Sequence, residues 1–428
     1  MKTTVPVTDK ATSDLMPEPV RVLHFADVHI GMENYGRTDP EQGVSSRVGD
    51  FLARMDEMID FARDGDVDLV IFAGDAFRSR SPNQTYQREF AERIQTLSQL
   101  APTVLLVGNH DLPANAAKAS TIDIYETLDV PNVWVARDYA LRRIATKRGD
   151  VLVGAAPYPM RTRLLADVVA RGLTIADQDA ELQRIVHERL TDLAEQAEEG
   201  ADGDTTRLLC GHFSVSGAVW GSERGVMLGR DVVIDCDALA HDSWDYVALG
   251  HIHRHQNLTA KRADRPPVVY SGSLERVDFG EENDVKGFCW VELARGATTW
   301  RFVEVAARKL LTLEVDCRDG DNPTGAVLEE LKRHDLAGAV VRLAIRLTQE
   351  SETLLNDKLI IDELKRAGVF HIARLRLDVD RRARTRLGAN PEGMTPMELL
   401  EKYFEAVDVD DARREELLKL ARGIIEGG

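Results

Sequence analysis

The stretch Val22-Leu23-His24-Phe25-Ala26-Asp27-Val28-His29-Ile30-Gly31 decides how the chain is read. Residues 22–26 form a short, mostly apolar run that ends at an acidic residue, the pattern of a buried strand. At its C-terminal end stand Asp27 and His29, one residue apart. Further runs of this kind occur at 68–73, 104–107, 151–156, 207–211, 246–250 and 268–270. Amphipathic stretches lie between them. Phe51, Leu52, Met55, Met58, Ile59 and Ala62 repeat at helical spacing, and Gly65 closes that segment. Phe90, Ile94, Leu97 and Leu100 make a second stripe, and Leu182, Ile185, Val186, Leu190, Leu193 and Ala194 a third. This alternation predicts an α/β domain over residues 20–305.

The texture then changes. Residues 311–316, 326–334, 340–347, 359–366 and 372–377 read strand, helix, strand, helix, strand, which predicts a compact α+β unit within 306–380. Residues 381–428 read as a linker and a helical pair. Thr395-Pro396-Met397-Glu398 combines an N-cap Thr, Pro at the first helical position and Glu at the third. Leu399, Leu400, Tyr403, Phe404 and Val407 follow on one face, and a second helix carries Leu417, Leu418, Ala421, Ile424 and Ile425. Such helices either pack on the body or grip a partner. Residues 1–19 have no apolar core and no small-residue cleavage site, so they are expected to be a mobile tail rather than a secretory signal.

Composition narrows the class. A chain of 428 residues with 43% hydrophobic content is long enough for two or three domains with sizeable cores. No stretch approaches the roughly 20 consecutive apolar residues that span a bilayer. Cys210, Cys236, Cys289 and Cys317 are scattered and form no C-x-x-C pair, so cysteine zinc sites are not expected, and reduced thiols in a cytoplasmic protein are. Net charge is −18, from 54 Lys and Arg against 72 Asp and Glu. Taken alone this argues against a protein that coats nucleic acid, although divalent metals add positive charge locally.

Five short motifs fall at or just past predicted strand ends: Asp27-Val28-His29, Gly74-Asp75, Gly108-Asn109-His110-Asp111, Gly211-His212 and Gly250-His251-Ile252-His253. Strand-end loops on a rigid sheet are where α/β folds place sites. Asp27, Asp75 and Asn109 offer oxygens, while His29, His212, His251 and His253 offer imidazole nitrogens. Mixed N/O ligation without thiolate favours manganese, iron or zinc. A metal pair about 3.5–4 Å apart needs a shared anionic bridge, and a buried carboxylate such as Asp75 supplies one. Each motif alone is ordinary: a lone Gly-Asp is usually a turn, and a lone histidine is usually a packed or surface residue. Five of them in this order at strand ends are not.

The order D-x-H, GD, GNHD, GH, GHxH, over roughly residues 21–279, resembles the calcineurin-like metallophosphoesterases. The resemblance implies a two-sheet αββα sandwich. It implies that Asp27, His29, Asp75 and His253 hold one metal and that Asn109, His212 and His251 hold the other, with Asp75 bridging. His110 would stay off the metals, near the scissile phosphate, oriented by Asp111 and assisting the leaving group. The metals would turn a water into hydroxide near neutral pH and polarise the phosphoryl oxygens.

VLHFADVHIG, LVIFAGDAF, VLLVGNHD, YVALGHIHRHQ and VVYSGSLERVDFGEE narrow the resemblance to the SbcD-type DNA-repair exonucleases, relatives of the meiotic-recombination-eleven nuclease. That likeness implies two manganese ions (magnesium, iron or zinc being alternatives), DNA ends as substrate, 3′→5′ exonuclease and endonuclease action, and a homodimer. Dimer contacts would lie near 47–62 and 84–100, although most apolar residues there read equally as core. The α+β unit would cap DNA. Leu399, Leu400, Tyr403, Phe404, Leu417, Leu418 and Ile424 would bind an SbcC-type, SMC-like ABC ATPase with a coiled coil, in a cytoplasmic, nucleoid-associated setting. Many relatives carry a histidine three residues after the bridging Asp; here Arg78 stands there, an alternative phosphate donor. Arg37, Arg80, Arg254 and Arg276 are candidate DNA contacts, each readable as a plain surface cation. Arg374, Arg376, Arg381, Arg382, Arg384 and Arg386 form a basic run or a solvated linker. The competing function is a phosphatase or phosphodiesterase of the same fold acting on a small molecule or protein.

Overall fold

The computed structural model describes residues 18–38, 43–113, 118–165, 174–221, 231–380, 394–407 and 409–425. The chain forms two compact units with a boundary at Leu311, and Gly338–Val340 return to the first. Strands of the first unit are β1 (Val20–Phe25), β2 (Leu69–Phe72), β3 (Thr103–Leu106), β4 (Val133–Ala136), β5 (Ala140–Thr146), β6 (Gly149–Ala156), β7 (Thr206–His212), β8 (Ser214–Val215), β9 (Val233–Ile234), β10 (Tyr246–Gly250), β11 (Gln256–Asn257), β12 (Val268–Tyr270), β13 (Gly287–Leu293) and β14 (Thr299–Glu304). Its long helices are α1 (Ser46–Asp64), α2 (Gln84–Leu100) and α3 (Ile175–Glu199).

Among the described residues β8 and β9 pair with each other, and the other twelve of these strands make two six-stranded sheets, ordered β14-β13-β1-β2-β3-β4 and β11-β12-β10-β7-β6-β5. Both have parallel centres: β1, β2, β3 and β4 run together in one, and β12, β10, β7 and β6 in the other. Parallel strands buried on both faces need continuous apolar runs, as Leu69–Phe72 and Thr103–Leu106 show with every residue buried. Antiparallel strands close three of the four edges, β13 and β14 on one sheet, β5 and β11 on the other, and the parallel β4 is the fourth. The sequence runs predicted seven strands and passed over β4, β5, β8, β9, β11, β13 and β14. On β5 and β14 the reason is exposure: these edge strands alternate apolar residues with arginines and glutamate instead of running apolar throughout.

Three hydrophobic clusters make the layers. Val22, Ile71, Val104, Leu106, Leu208, Cys210, Ala248 and Val269 lie between the sheets. Met55, Met58, Phe90, Ile94 and Leu97 join the other face of the first sheet at Leu23, Phe25, Val70 and Phe72. Leu182, Val186, Leu190 and Leu193 of α3 do the same for the second sheet at Leu209, Val247 and Leu249. The helical stripes are therefore core, each such side chain contributing about 1.5–3 kcal/mol by burial, and the result is an αββα sandwich. Ser45 caps α1 by accepting from the Arg47 amide, and Gly65 ends it.

The second unit contains β15 (Leu310–Asp316), α4 (Pro323–Leu331), β16 (Val340–Thr348), α5 (Asp357–Arg366) and β17 (His371–Asp380), with sheet order β15-β16-β17. Leu343, Ile345, Val327, Leu331, Ile360 and Leu364 are buried in it. The helical pair is α6 (Pro396–Ala406) and α7 (Asp411–Ile425). The capping box at its start is formed: Thr395 accepts from the Glu398 amide, and the Glu398 carboxylate accepts from the Thr395 amide at 2.7 Å. No described helix is long and apolar enough to cross a membrane. Arg381, Arg382, Arg384, Arg386 and nearly all of the 1–19 tail lie outside the described residues.

One polar side chain is locked between the sheets. The ring of His24 on β1 meets the Tyr246 hydroxyl at 3.1 Å and the Leu249 carbonyl at 3.2 Å. Burial opposes its protonation and lowers its pKa to about 3. A histidine depressed in the fold takes up its proton in the unfolded chain first, so stability falls as pH drops from about 6.5 towards the folded value. From pH 7 to pH 5 this single group removes about 2 kcal/mol. Chemical denaturation of His24→Gln should lose less stability over that interval than the wild type by about that amount; equal losses would show that His24 is not held neutral.

Candidate metal centre

Past its last hydrogen-bonded pair, β1 keeps following β2. The amide of Asp27 donates to the Gly74 carbonyl at 3.0 Å, those of Val28 and His29 to Asp75 at 3.0 and 3.2 Å, and that of Ile30 to Ala76 at 2.9 Å. Within this continuation the backbone is left-handed at Asp27 (φ 52°), His29 (φ 49°) and Asp75 (φ 64°), and His251 past β10 has φ 100°. Non-glycine residues there cost about 1–3 kcal/mol each and cluster where geometry is functional. The turns defeat strand alternation and bring Asp27 and His29 to one place. Gly74 (φ +96°) is required on two counts, since a Cβ there would lie 2.4 Å from Nδ1 of His212 and 3.0 Å from the Gly108 backbone.

The donor atoms converge. Asn109 Oδ1 lies 3.0 Å from Nε2 of His212 and 3.0 Å from Nδ1 of His251. Nε2 of His29 and Nε2 of His253 face each other at 2.9 Å. The Asp75 carboxylate stands between the groups, 3.8 Å from His29 and 3.4 Å from His212. Asp27, His29 and His253 have ligand atoms within 4.8 Å of one another, as do Asp27, Asp75 and His212. Asp27 also accepts from the His251 amide at 3.0 Å, tying the two sheets' loops together. Lone pairs of nitrogen and oxygen aimed at common points repel without a cation, so this set fits two divalent ions sharing Asp75. All seven residues proposed as ligands are brought together and buried.

Burial opposes ionisation of Asp75, but His212, His110 and His29 outweigh it and hold the carboxyl well below its usual range. The same attraction overcomes burial at His212 and lifts it to about 9. Burial and the neighbouring His253 push His29 well down, and burial pushes Asp27 up.

His110 is half-buried at the rim, its ring edge-on to His29 with centroids 4.9 Å apart. Its orientation corrects the sequence expectation: Nδ1 bonds the Arg78 carbonyl at 2.9 Å. The carboxylate of Asp111 turns the other way, accepting from the amides of Asp75 (2.9 Å), Ala76 (3.0 Å) and Gly108 (3.0 Å). It holds the Asp75 loop, and burial together with the Asp75 charge pushes it up to about 7. The turn of the backbone prevents the contact that the resemblance implied.

Arg37, Arg78, Arg80 and Arg254 are exposed, Arg254 standing 3.7 Å from Asp284. Arg276 is different: its guanidinium donates to the carbonyls of Asp284 (2.7 Å), Arg308 (3.0 Å) and Ala307 (3.4 Å), so it staples backbone. Two carboxylates were missed in the sequence. Glu281 meets Nδ1 of His253 at 2.7 Å and Asp231 meets Nε2 of His251 at 2.8 Å. Glu281 lies in the VVYSGSLERVDFGEE motif, but its physical use was not visible there; Asp231 is a lone acidic residue with no signal.

Divalent manganese at about a hundred times its dissociation constant should stabilise the wild type by about 2.7 kcal/mol per site. In Gly74→Ala, where the added Cβ displaces His212, the manganese-dependent rise in melting temperature should shrink. A full-sized rise would mean that His212 is not a ligand.

The model of the calcineurin-like phosphoesterase family matches residues 20–255, a span holding all seven candidate ligands and His110. The SbcD component of the SbcCD nuclease of Bacillus subtilis is 29% identical over 300 residues, covering 68% of this chain and 71% of that one. The SbcD component from Escherichia coli K12 is 30% identical over 270 residues, 61% of this chain and 62% of that one. The DNA double-strand break repair protein Mre11 of Thermoplasma acidophilum is 25% identical over 271 residues, 62% of this chain and 58% of that one. The alignments thus span less than two thirds of the last two proteins. The chain belongs to the calcineurin-like phosphoesterase family, and within it is of the SbcD and Mre11 type.

Proposed function

We propose that this chain is the nuclease component of a DNA double-strand-break repair complex, cleaving phosphodiesters with two manganese ions, 3′→5′ from duplex ends and also endonucleolytically. The observation that carries the reading is the pair of converging donor groups sharing Asp75, with His110 at their rim. The names borne by its relatives support this reading, nuclease action from the SbcCD proteins and DNA from the Mre11 protein. Asp27, His29, Asp75 and His253 would hold one ion, and Asp75, Asn109, His212 and His251 the other. Bound there, the ions supply an acidified water and Lewis-acid polarisation of the phosphoryl oxygens.

The chain's own groups do the rest. With Nδ1 committed to the Arg78 carbonyl, His110 has Nε2 for the phosphate, and in its protonated form it donates to the leaving oxygen. Arg78, exposed beside it, brings a forked donor to phosphate where many relatives have a histidine. Arg37, Arg80 and Arg254 are exposed cations for the DNA backbone. Arg276 acts indirectly, holding its loop in place.

The proposed assembly is a homodimer joined to an SMC-like ABC ATPase through α6 and α7. Tyr403, Leu420 and Ile424 are 52%, 60% and 77% exposed, which supports a partner for this pair. Leu399, Leu400, Phe404, Leu417 and Leu418 are only half-buried. Since the apolar stripes of α1 and α2 are core, dimer contacts would use the remaining faces of those helices.

End-labelled duplex DNA should be degraded with manganese by the wild type and left intact by Asp75→Ala. His110→Gln should cut about 10²–10⁴-fold more slowly while retaining its metals. Absence of digestion by the wild type, with hydrolysis of a nitrophenyl phosphate monoester, would replace this reading with a phosphatase.

A further inference from the structure

Two carboxylates outside the ligand set, Glu281 buried and Asp231 half-buried, stand directly behind two of its histidines, and they engage opposite ring nitrogens. Glu281 takes Nδ1 of His253, whose Nε2 faces His29. Asp231 takes Nε2 of His251, whose Nδ1 faces Asn109. The other two histidines lack a carboxylate at this position. His212 bonds the Ala73 carbonyl at 2.6 Å through Nδ1, and Nδ1 of His29 has no hydrogen-bond partner among the described residues.

Each carboxylate is itself held in place. Glu281 accepts from the Val277 amide at 2.9 Å and from Nζ of Lys286 at 2.9 Å. Lys286 is 1% exposed and also donates to the His253 carbonyl at 3.1 Å and Oγ of Ser273 at 2.9 Å. Asp231 accepts from the Tyr158 hydroxyl at 3.2 Å, the Val232 amide at 3.1 Å and the Ser214 hydroxyl. Desolvating a lysine–glutamate pair costs several kcal/mol, and apolar residues of like volume serve stability as well or better. The pair is thus poorly explained by stability and well explained by what it touches. A carboxylate behind a ligating imidazole fixes its tautomer and strengthens its donor nitrogen.

We propose that Glu281 and Asp231 are positioning residues, each governing one ion of the centre. Glu281, backed by Lys286, sets His253 as an Nε2 ligand for the ion held with Asp27 and His29. Asp231 sets His251 as an Nδ1 ligand for the ion held with Asn109 and His212. The inference rests on the two-metal reading and deepens it: control of the two ions is divided, with one carboxylate in each sphere.

The test is manganese binding to the full chain, by calorimetric titration and by electron paramagnetic resonance. Wild type should take up two ions and show the broad spectrum of a coupled pair. Glu281→Gln and Asp231→Asn should each weaken one site by about 10–100-fold and leave the other unchanged, giving the six-line spectrum of an isolated ion at intermediate manganese. The double variant should lose both sites. Lys286→Gln, which leaves both carboxylate–imidazole contacts in place, should weaken only the site lost in Glu281→Gln, and it carries the test if that variant does not fold. Equal weakening of both sites by either variant, or a double variant that keeps one tight site, would overturn the division. A wild type that binds fewer than two ions would overturn the two-metal reading itself.

Discussion

Three amide hydrogens pointing at one buried carboxylate hold the centre together. Asp111 binds the amides of Asp75, Ala76 and Gly108, so the loops after β2 and β3 are one piece. The loop after β1 is laid along the first of these by four backbone hydrogen bonds from Asp27 to Ile30. Asp27 then reaches across to the His251 amide, and the Ala73 carbonyl to His212, which brings in the second sheet. Every candidate ligand is within one or two such links of the Asp75 loop. Asp111 touches none of the sites' openings, yet the left-handed turns at Asp27, His29 and Asp75 depend on the frame it fixes.

This arrangement explains how an acidic chain can host phosphodiester chemistry. The excess of Asp and Glu is a property of the whole surface, whereas the centre concentrates four histidines and an asparagine around two aspartates. Two divalent ions would offset the carboxylates of that pocket and place positive charge where a phosphate enters. Charge inside the site is also paired with care: the buried Lys286 offsets Glu281, and Asp231 is ringed by donors. Rigid parallel strands hold the ligands, while the C-terminal helical pair carries exposed apolar side chains at Tyr403, Leu420, Ile424 and Ile425.

Much of this was legible in the sequence because parallel strands buried on both faces must be apolar throughout, and five of the seven apolar runs here end where a ligand motif begins. Asp27, Asp75, Asn109 and the four histidines could be picked out for that reason. What the sequence hid was direction. Asp111 follows His110, but the turn points its carboxylate back at the Asp75 loop. Arg276 looks like a surface cation, but three carbonyls converge on it. Glu281 reaches His253 across 28 positions that pass through β11, β12 and two loops, so no local periodicity or spacing links them. Edge strands β5 and β14 were hidden for the complementary reason, since a half-solvated strand need not be apolar.

The central claim is that two cations share Asp75. Anomalous diffraction at the manganese edge, from crystals grown with manganese, tests it directly. Two peaks should flank the Asp75 carboxylate, one among Asp27, His29 and His253 and one among Asn109, His212 and His251. A single peak in the centre, or none there while manganese is seen elsewhere in the crystal, would contradict it.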